Sequence, residues 1–165
     1  MKRIGLLSDT HGMVPKQVYT FFKDVDIILH AGDIGSTDVL EELKHFKPTI
    51  AVYGNVDGYE IYSEAKRIET FEIEGVKIMM THIGGYPKHY EKAVKELLKE
   101  EKPNIFISGH SHILKVIFDH ELNLLHMNPG ASGNYGFHNV CTMIRFNVED
   151  GKPKDLEILE YEKYS

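Results

Sequence analysis

The chain has one cysteine in 165 residues. No disulfide can form within it, and no thiolate cluster can hold a structural zinc or an iron–sulfur centre. Cys141 lies in an apolar stretch, where the expected role is a buried small hydrophobe, and a reducing cytoplasm is the expected compartment. No apolar run approaches the roughly 20 residues of a membrane span. Met1-Lys2-Arg3 leads straight into strand-like sequence with no small-residue cleavage site, so neither a signal peptide nor a membrane partner is expected. Positive charge is in deficit: 19 Lys and Arg against 25 Asp and Glu give a net charge of -6, which argues against nucleic acid as the main partner. An anionic substrate stays open, because bound divalent cations would reverse the sign locally. Repeats, low-complexity tracts and long linkers are also missing. One domain over residues 1–165 is the expectation.

What is present alternates. A strand pattern at Arg3–Ser8 precedes a helix near Lys16–Lys23, a strand at Asp26–His30, a helix near Thr37–Phe46 and a strand at Thr49–Tyr53. Pro15 and Ser36-Thr37-Asp38 mark the two helix starts. This order implies parallel strands with right-handed crossovers. Arg67–Ile73, Glu74-Gly75 and Val76–Thr81 then read as a hairpin. A helix near Tyr90–Lys99 puts Tyr90, Ala93, Val94, Leu97 and Leu98 on one face, and Pro103 stops it. Strands follow at Asn104–Ser108, Ile113–Phe118, Leu122–His126, Val140–Val148 and Leu156–Tyr161. The fold class is a β-rich α/β domain, two packed sheets with helices outside.

Five apolar runs end in residues that bind metals or phosphates. Ile4–Leu7 runs into Asp9-Thr10-His11, and Ile27–Leu29 leads to Gly32-Asp33. Ile50–Tyr53 leads to Gly54-Asn55, Ile78–Met80 to His82, and Ile105–Ile107 to Gly109-His110-Ser111-His112. In an open α/β sheet, loops at the carboxyl ends of strands line one crevice. Three histidines, two aspartates and an asparagine, with His11 as a seventh, are costly to crowd into a dry place without a cation. Asp9 and His11 alternate by two, as do His110 and His112, so each pair can point into one pocket. Mixed imidazole, carboxylate and amide donors suit borderline divalent metals. The pattern reads as a two-metal hydrolytic site. Six of the 10 histidines (His30, His45, His89, His120, His126 and His138) fall outside it. His30 is expected to pack or hydrogen-bond beneath the site, Tyr86 to close its loop, and His138 divides evenly between loop surface and substrate pocket.

Asp-x-His, Gly-Asp, Gly-Asn-x-Asp, a lone His and Gly-His-x-His, in that order from Asp9 to about Ser132, resemble the calcineurin-like metallophosphoesterase superfamily. Within it the match is to small single-domain bacterial and archaeal phosphodiesterases. The resemblance implies a four-layer αββα sandwich of two mixed sheets with metals at the sheet ends. It implies two divalent ions, manganese first, with nickel, zinc, iron, cobalt or magnesium as alternatives. By that analogy Asp9, His11 and His112 hold one ion, Asn55, His82 and His110 hold the other, and Asp33 bridges them. A hydroxide shared by the ions would be the nucleophile, attacking phosphorus in line. Asn55, His82 and Asp57 are the catalytic candidates: Asn55 also touches the substrate phosphate, and Asp57 is expected to orient a ligand or loop.

The sequence also departs from its relatives. Many carry Gly-Asn-His-Asp, whose histidine is thought to protonate the leaving group; Val56 stands here and cannot. Another residue or water must then serve, or poor leaving groups are cleaved slowly. Ile83 follows His82 where many relatives have glycine. Asn128-Pro129-Gly130 matches a loop near the site, but an arginine often found after it is replaced by Gly136-Phe137-His138. The expected activity is metal-dependent hydrolysis of a small phosphodiester, with a phosphomonoesterase using the same site as the near alternative. A non-catalytic scaffold like the retromer subunit Vps29 is the competing class; retention of all seven candidate ligands speaks against it. A dinucleotide-binding domain fails because no Gly-x-Gly-x-x-Gly follows the first strand. A homodimer or tetramer is the expected assembly.

Overall fold

The computed structural model describes residues 1–165. Its elements, in chain order, are β1 (Lys2–Leu7), α1 (Gln17–Phe21), β2 (Ile27–His30), α2 (Thr37–Phe46), β3 (Thr49–Ala51), α3 (Tyr59–Tyr62) and β4 (Ile68–Ile73). There follow β5 (Val76–Thr81), α4 (Lys92–Glu101), β6 (Ile105–Ile107), β7 (Leu114–Asp119), β8 (Leu124–Pro129), β9 (Val140–Glu149) and β10 (Lys152–Glu162). They form two five-stranded sheets, ordered β10-β9-β1-β2-β3 and β4-β5-β6-β8-β7. Both are mixed. β1, β2 and β3 run parallel with β9 antiparallel beside β1, while β5, β6 and β8 run parallel between antiparallel edges.

Side-chain alternation builds the layers. Ile78 and Met80 of β5 and Ile105 and Ile107 of β6 meet Ile4, Leu6 and Leu29 of the other sheet in a core of 14 buried residues. The intervening Met79 and Phe106 face the opposite way, onto Val94 and Leu98 of α4. Across the molecule, Leu7 and Ile28 turn outward onto Val18, Leu40, Leu43 and Ile61 of the other helices. Alternating burial along the central strands of each sheet thus gives the expected αββα sandwich. At Gly5 the lack of a side chain lets α1 approach closely, since a Cβ there would lie 2.8 Å from the Phe22 ring.

Several boundaries differ from those read in the sequence. β3 ends at Ala51 because Val52 leaves it to bridge Lys66. α3 was not anticipated; four residues are too few to show a helical period. β8 starts at Leu124 instead of Leu122. Asp119 Oδ1 accepts the N–H groups of Glu121 (2.9 Å) and Leu122 (3.1 Å), and Asn123 sits at φ 54°, which lengthens the turn. β10 begins at Lys152, four residues early, and continues through an irregularity between Lys154 and Glu157 that hides its alternation. Ser36 occupies the N-cap of α2 but makes no side-chain capping bond; Asp38 in the first turn is the favourable charge there.

His126 of β8 is buried, with its ring tilted on Phe106 (5.5 Å between centroids) and Nδ1 donating to the Phe106 carbonyl at 3.2 Å. Burial pulls its pKa down to about 4. Between that value and the ordinary histidine range the unfolded chain binds the extra proton, so stability falls as pH drops from about 6.5 to about 4. The expected loss from this one group is about 3 kcal/mol. Urea unfolding of the wild type and of His126→Leu at pH 7 and pH 4 checks this: the variant should lose less stability over that range, and equal losses would contradict it.

Candidate metal centre

All seven candidates lie in the five loops that leave β1, β2, β3, β5 and β6, and the two sheets bring these loops to one end of the sandwich. Five of the seven are held with positive φ: Asp9 (57°), His11 (50°), Asp33 (54°), His110 (70°) and His112 (62°). Each non-glycine residue there costs about 1–2 kcal/mol. Tertiary bonds hold the strain in place. Asp9 N donates to Gly32 O (2.9 Å), His11 N to Asp33 O (3.1 Å) and Gly109 N to His82 O (2.9 Å).

The donor atoms fall into two groups, Asp9 with His11 and His112, and Asp33 with His82 and His110; within each group they lie within 4.8 Å of one another. Asp9 Oδ1 is 3.2 Å from His112 Nε2 and 3.7 Å from His11 Nε2. Asp33 Oδ2 is 3.2 Å from His82 Nε2 and 3.8 Å from His11 Nε2, so it lies between the two groups. Asn55 is exposed at the lip, with Oδ1 3.1 Å from His110 Nδ1.

Hydrogen bonds behind the site fix which atoms face it. Ser8 Oγ donates to Asp9 Oδ2 at 2.6 Å, and Val56 N donates to Asp33 Oδ1 at 3.0 Å, leaving the other oxygen of each carboxylate to the interior of the site. His82 Nδ1 lies 2.8 Å from Ala31 O, so it carries the proton and Nε2 presents a lone pair. Asp9 Oδ1, His11 Nε2 and His82 Nε2 are buried without a hydrogen-bond partner. Buried polar atoms are rarely left so. Acceptors that face acceptors around a common space are the donor set of a cation, and these residues fit one.

The charges agree. Burial pushes the Asp9 carboxyl up, but His11, His112, His82 and Ser8 outweigh it and hold it well below the usual carboxylate range. Burial likewise works against ionisation of Asp33, and His82 together with the Val56 N–H overcomes it. Burial lowers the His82 pKa, yet Asp33 and Asp9 raise it above its ordinary value. Each group demands opposite charge from its neighbours.

Other candidates take supporting places. Asp57 is buried, and its carboxylate accepts three backbone N–H groups: Ile34 (3.1 Å), Gly35 (2.8 Å) and Gly54 (2.8 Å). It ties the β2 loop to the β3 loop, with no oxygen free for substrate. His30 accepts from Gly32 N through Nδ1 (3.1 Å), so Nε2 donates to Thr10 Oγ1 (2.9 Å), whose hydroxyl passes on to Ile34 O (2.9 Å). Burial drives the His30 pKa down to about 4, which keeps this relay neutral. His138 is in the cleft: its ring packs edge-on against His112 (5.1 Å) and Nε2 donates to Gly133 O (2.8 Å). Tyr86 carries Lys115 Nζ 3.7 Å above its ring. Ser8 and Tyr135, the latter with its ring tilted 47° to that of His11 at 4.9 Å, were missed; only the place of Ser8 next to Asp9 signals a role. Two glycines are sterically required. A Cβ at Gly32 (φ 103°) would lie 2.6 Å from His82 Nδ1, and one at Gly54 would collide with Asp33 Oδ1.

Residues 1–151 match the calcineurin-like phosphoesterase superfamily domain. A probable metallophosphoesterase of Methanothermobacter thermautotrophicus is 38% identical over 135 residues, covering 78% of this chain and 76% of that protein. One from Methanocaldococcus jannaschii is 35% identical over 134 residues, covering 78% and 67%. Among solved structures, an archaeal phosphodiesterase superposes with a TM-score of 0.75 at 25% identity, over 95% of this chain and 99% of its own. Vps29 of Entamoeba histolytica in complex with zinc reaches the same TM-score at 14% identity, over 97% and 98%, which speaks for the fold alone. On sequence and on structure, the chain belongs to the calcineurin-like phosphoesterase superfamily.

Proposed function

We propose that this chain is a phosphodiesterase that works with two divalent cations, one in each donor group, with manganese the first to test. The observation that carries the two-cation reading is the pair of adjoining donor sets, with Asp33 Oδ2 within reach of an imidazole from each. No thiolate competes, since Cys141 is buried and its Sγ lies against Gly133 O. Bound there, the cations would supply Lewis-acid polarisation of the phosphoryl group and acidification of a water molecule.

The chain's own residues do the rest. Ser8, Val56 N and Ala31 O aim Asp9, Asp33 and His82 so that the site is assembled before substrate arrives. Asn55, exposed beside His110, is placed to offer its amide to a phosphoryl oxygen. Val56 is 52% exposed at the rim and brings no proton. The diester preference rests on the shape of the cleft. A cavity of about 670 Å³ lies over His11, Asp33, Asn55, His110 and His112. Tyr135 and His11 also line a neighbouring hollow with Met13, Val14 and Tyr164, and His110 and Ile113 also line one with Tyr86, Lys115 and His126. A phosphorus placed between the donor groups would then have a hollow on either side for each of two organic substituents, whereas a monoester would use only one.

Chelated protein should therefore turn over bis(p-nitrophenyl) phosphate only after divalent metal is restored, and undiminished turnover after chelation would contradict this. Asp33→Asn should keep the fold by circular dichroism and lose at least a hundredfold in kcat, with titration calorimetry showing weaker manganese binding. Gly54→Ala tests the packing behind Asp33: the same assay should show a loss of more than tenfold in a folded protein, and a wild-type rate would mean the carboxylate is free to move.

A further inference from the structure

The hollow beside His110 is built differently from the one around Tyr164. It has a volume of about 360 Å³ and shares His110, Ser111 and Ile113 with the cleft over the donor groups, so the Gly-His-Ser-His loop is a wall of both. One lysine and no arginine lines it, whereas the cleft itself has neither. That lysine, Lys115, is unpaired. The ion pairs of the chain's lysines involve Lys66, Lys77, Lys95 and Lys154, and Lys115 makes none, even with Glu91 on the same wall. Its Nζ lies 3.7 Å from the centroid of the Tyr86 ring. A ring face attracts an ammonium without neutralising it, so the charge is fixed in position and open to an anion. Lys115 stands opposite Asn128 in the β7–β8 register, where side chains on one face lie about 5 Å apart. Asn128 is buried; its Nδ2 donates to Gly109 O (3.0 Å) and Ser111 Oγ (3.0 Å), and its Oδ1 accepts from Gly130 N (2.9 Å). Ser111 Oγ accepts a second bond from Ile113 N (3.2 Å). Two donors occupy the lone pairs of that oxygen, and its own proton is left for a ligand. The Asn128-Pro129-Gly130 motif thus sets a hydroxyl donor between the cleft and Lys115.

We propose that this hollow is a subsite for a second anion: the substrate is a diester one of whose two substituents carries its own carboxylate or phosphate, held by Lys115 Nζ and the Ser111 hydroxyl. The inference rests on the diester reading of the cleft. An ammonium and a hydroxyl beside one another offer an oxyanion charge-assisted hydrogen bonds, which are stronger than neutral ones. The other hollow lacks this arrangement. There Lys16 shares the wall with Glu162 and with the apolar Met13, Val14 and Tyr164. The two arms therefore differ in charge, and an anionic substituent is directed to the Lys115 side. In a chain of net charge -6, that local cation selects the substrate's orientation where the overall charge cannot.

Phenyl(benzyl)phosphinate and phenyl(4-carboxybenzyl)phosphinate cannot be hydrolysed and differ only by the carboxylate. Titration calorimetry on the manganese-loaded full chain should show the carboxylated analogue binding about tenfold tighter, the effect of one hydrogen bond to a charged group. A 4-phosphonobenzyl analogue run alongside tells carboxylate from phosphate by the larger ratio. Lys115→Met should bring the ratios to about one, Lys115→Arg should keep them and Ser111→Ala should reduce them, each with the wild-type circular dichroism spectrum. Turnover of 4-nitrophenyl phenyl phosphate and of 4-nitrophenyl 4-carboxyphenyl phosphate reports separately on the activity. Equal binding of the phosphinates by the wild type, or a preference that survives Lys115→Met, overturns the subsite even where both esters are hydrolysed. A preference that follows Lys115 while neither ester is hydrolysed upholds the subsite and overturns the diester hydrolysis.

Discussion

Carboxylate oxygens of Asp9 and Asp33 face imidazole nitrogens across one space, and the rest of the molecule is arranged to keep them there. Asp9 Oδ1, His11 Nε2 and His82 Nε2 lack any hydrogen-bond partner. Left alone, such a set would cost several kcal/mol in desolvation and repulsion. Every nearby feature resists its collapse. Ser8 and Val56 N tie back the second carboxylate oxygens, Ala31 O fixes the His82 tautomer, and Asp57 binds three N–H groups to hold two loops together. Five residues with positive φ are strained to aim their side chains inward. Five of the twelve non-glycine residues with positive φ lie at this end of the sandwich together with the orphaned polar atoms, as suits a site shaped before a cation arrives.

The fold supports this economically. Parallel β1, β2 and β3 in one sheet and β5 and β6 in the other send their carboxyl ends the same way, so five short loops carry all seven candidates. Alternation along each strand gives one side to the inter-sheet core and the other to the helices, so the strand ends are pinned from both faces. The rigidity that positions the candidate donors thus originates in hydrophobic packing well away from the chemistry.

Much of this could be read in the sequence, because the site depends on local motifs at strand ends. The apolar runs before Asp9, Asp33, Asn55, His82 and His110 placed the loops, and the ordered motif set gave the family and the sandwich. What escaped depends on contacts between distant residues. Asp57 was expected to orient a ligand or loop, but nothing around it announces that its carboxylate accepts from Ile34 and Gly35, 23 and 22 residues away. His138 sat evenly between surface and pocket until its ring met that of His112. β8 and β10 were misplaced by a side chain that reaches back to cap a turn at Asp119 and by an irregular pairing near Asp155, neither of which follows a two-residue period.

Anomalous diffraction from crystals of the chain grown with manganese tests the central claim most directly. The account predicts two anomalous peaks at the strand ends, one within bonding distance of Asp9, His11 and His112 and one of Asp33, His82 and His110. No peak in that space, or manganese bound only elsewhere, would contradict it.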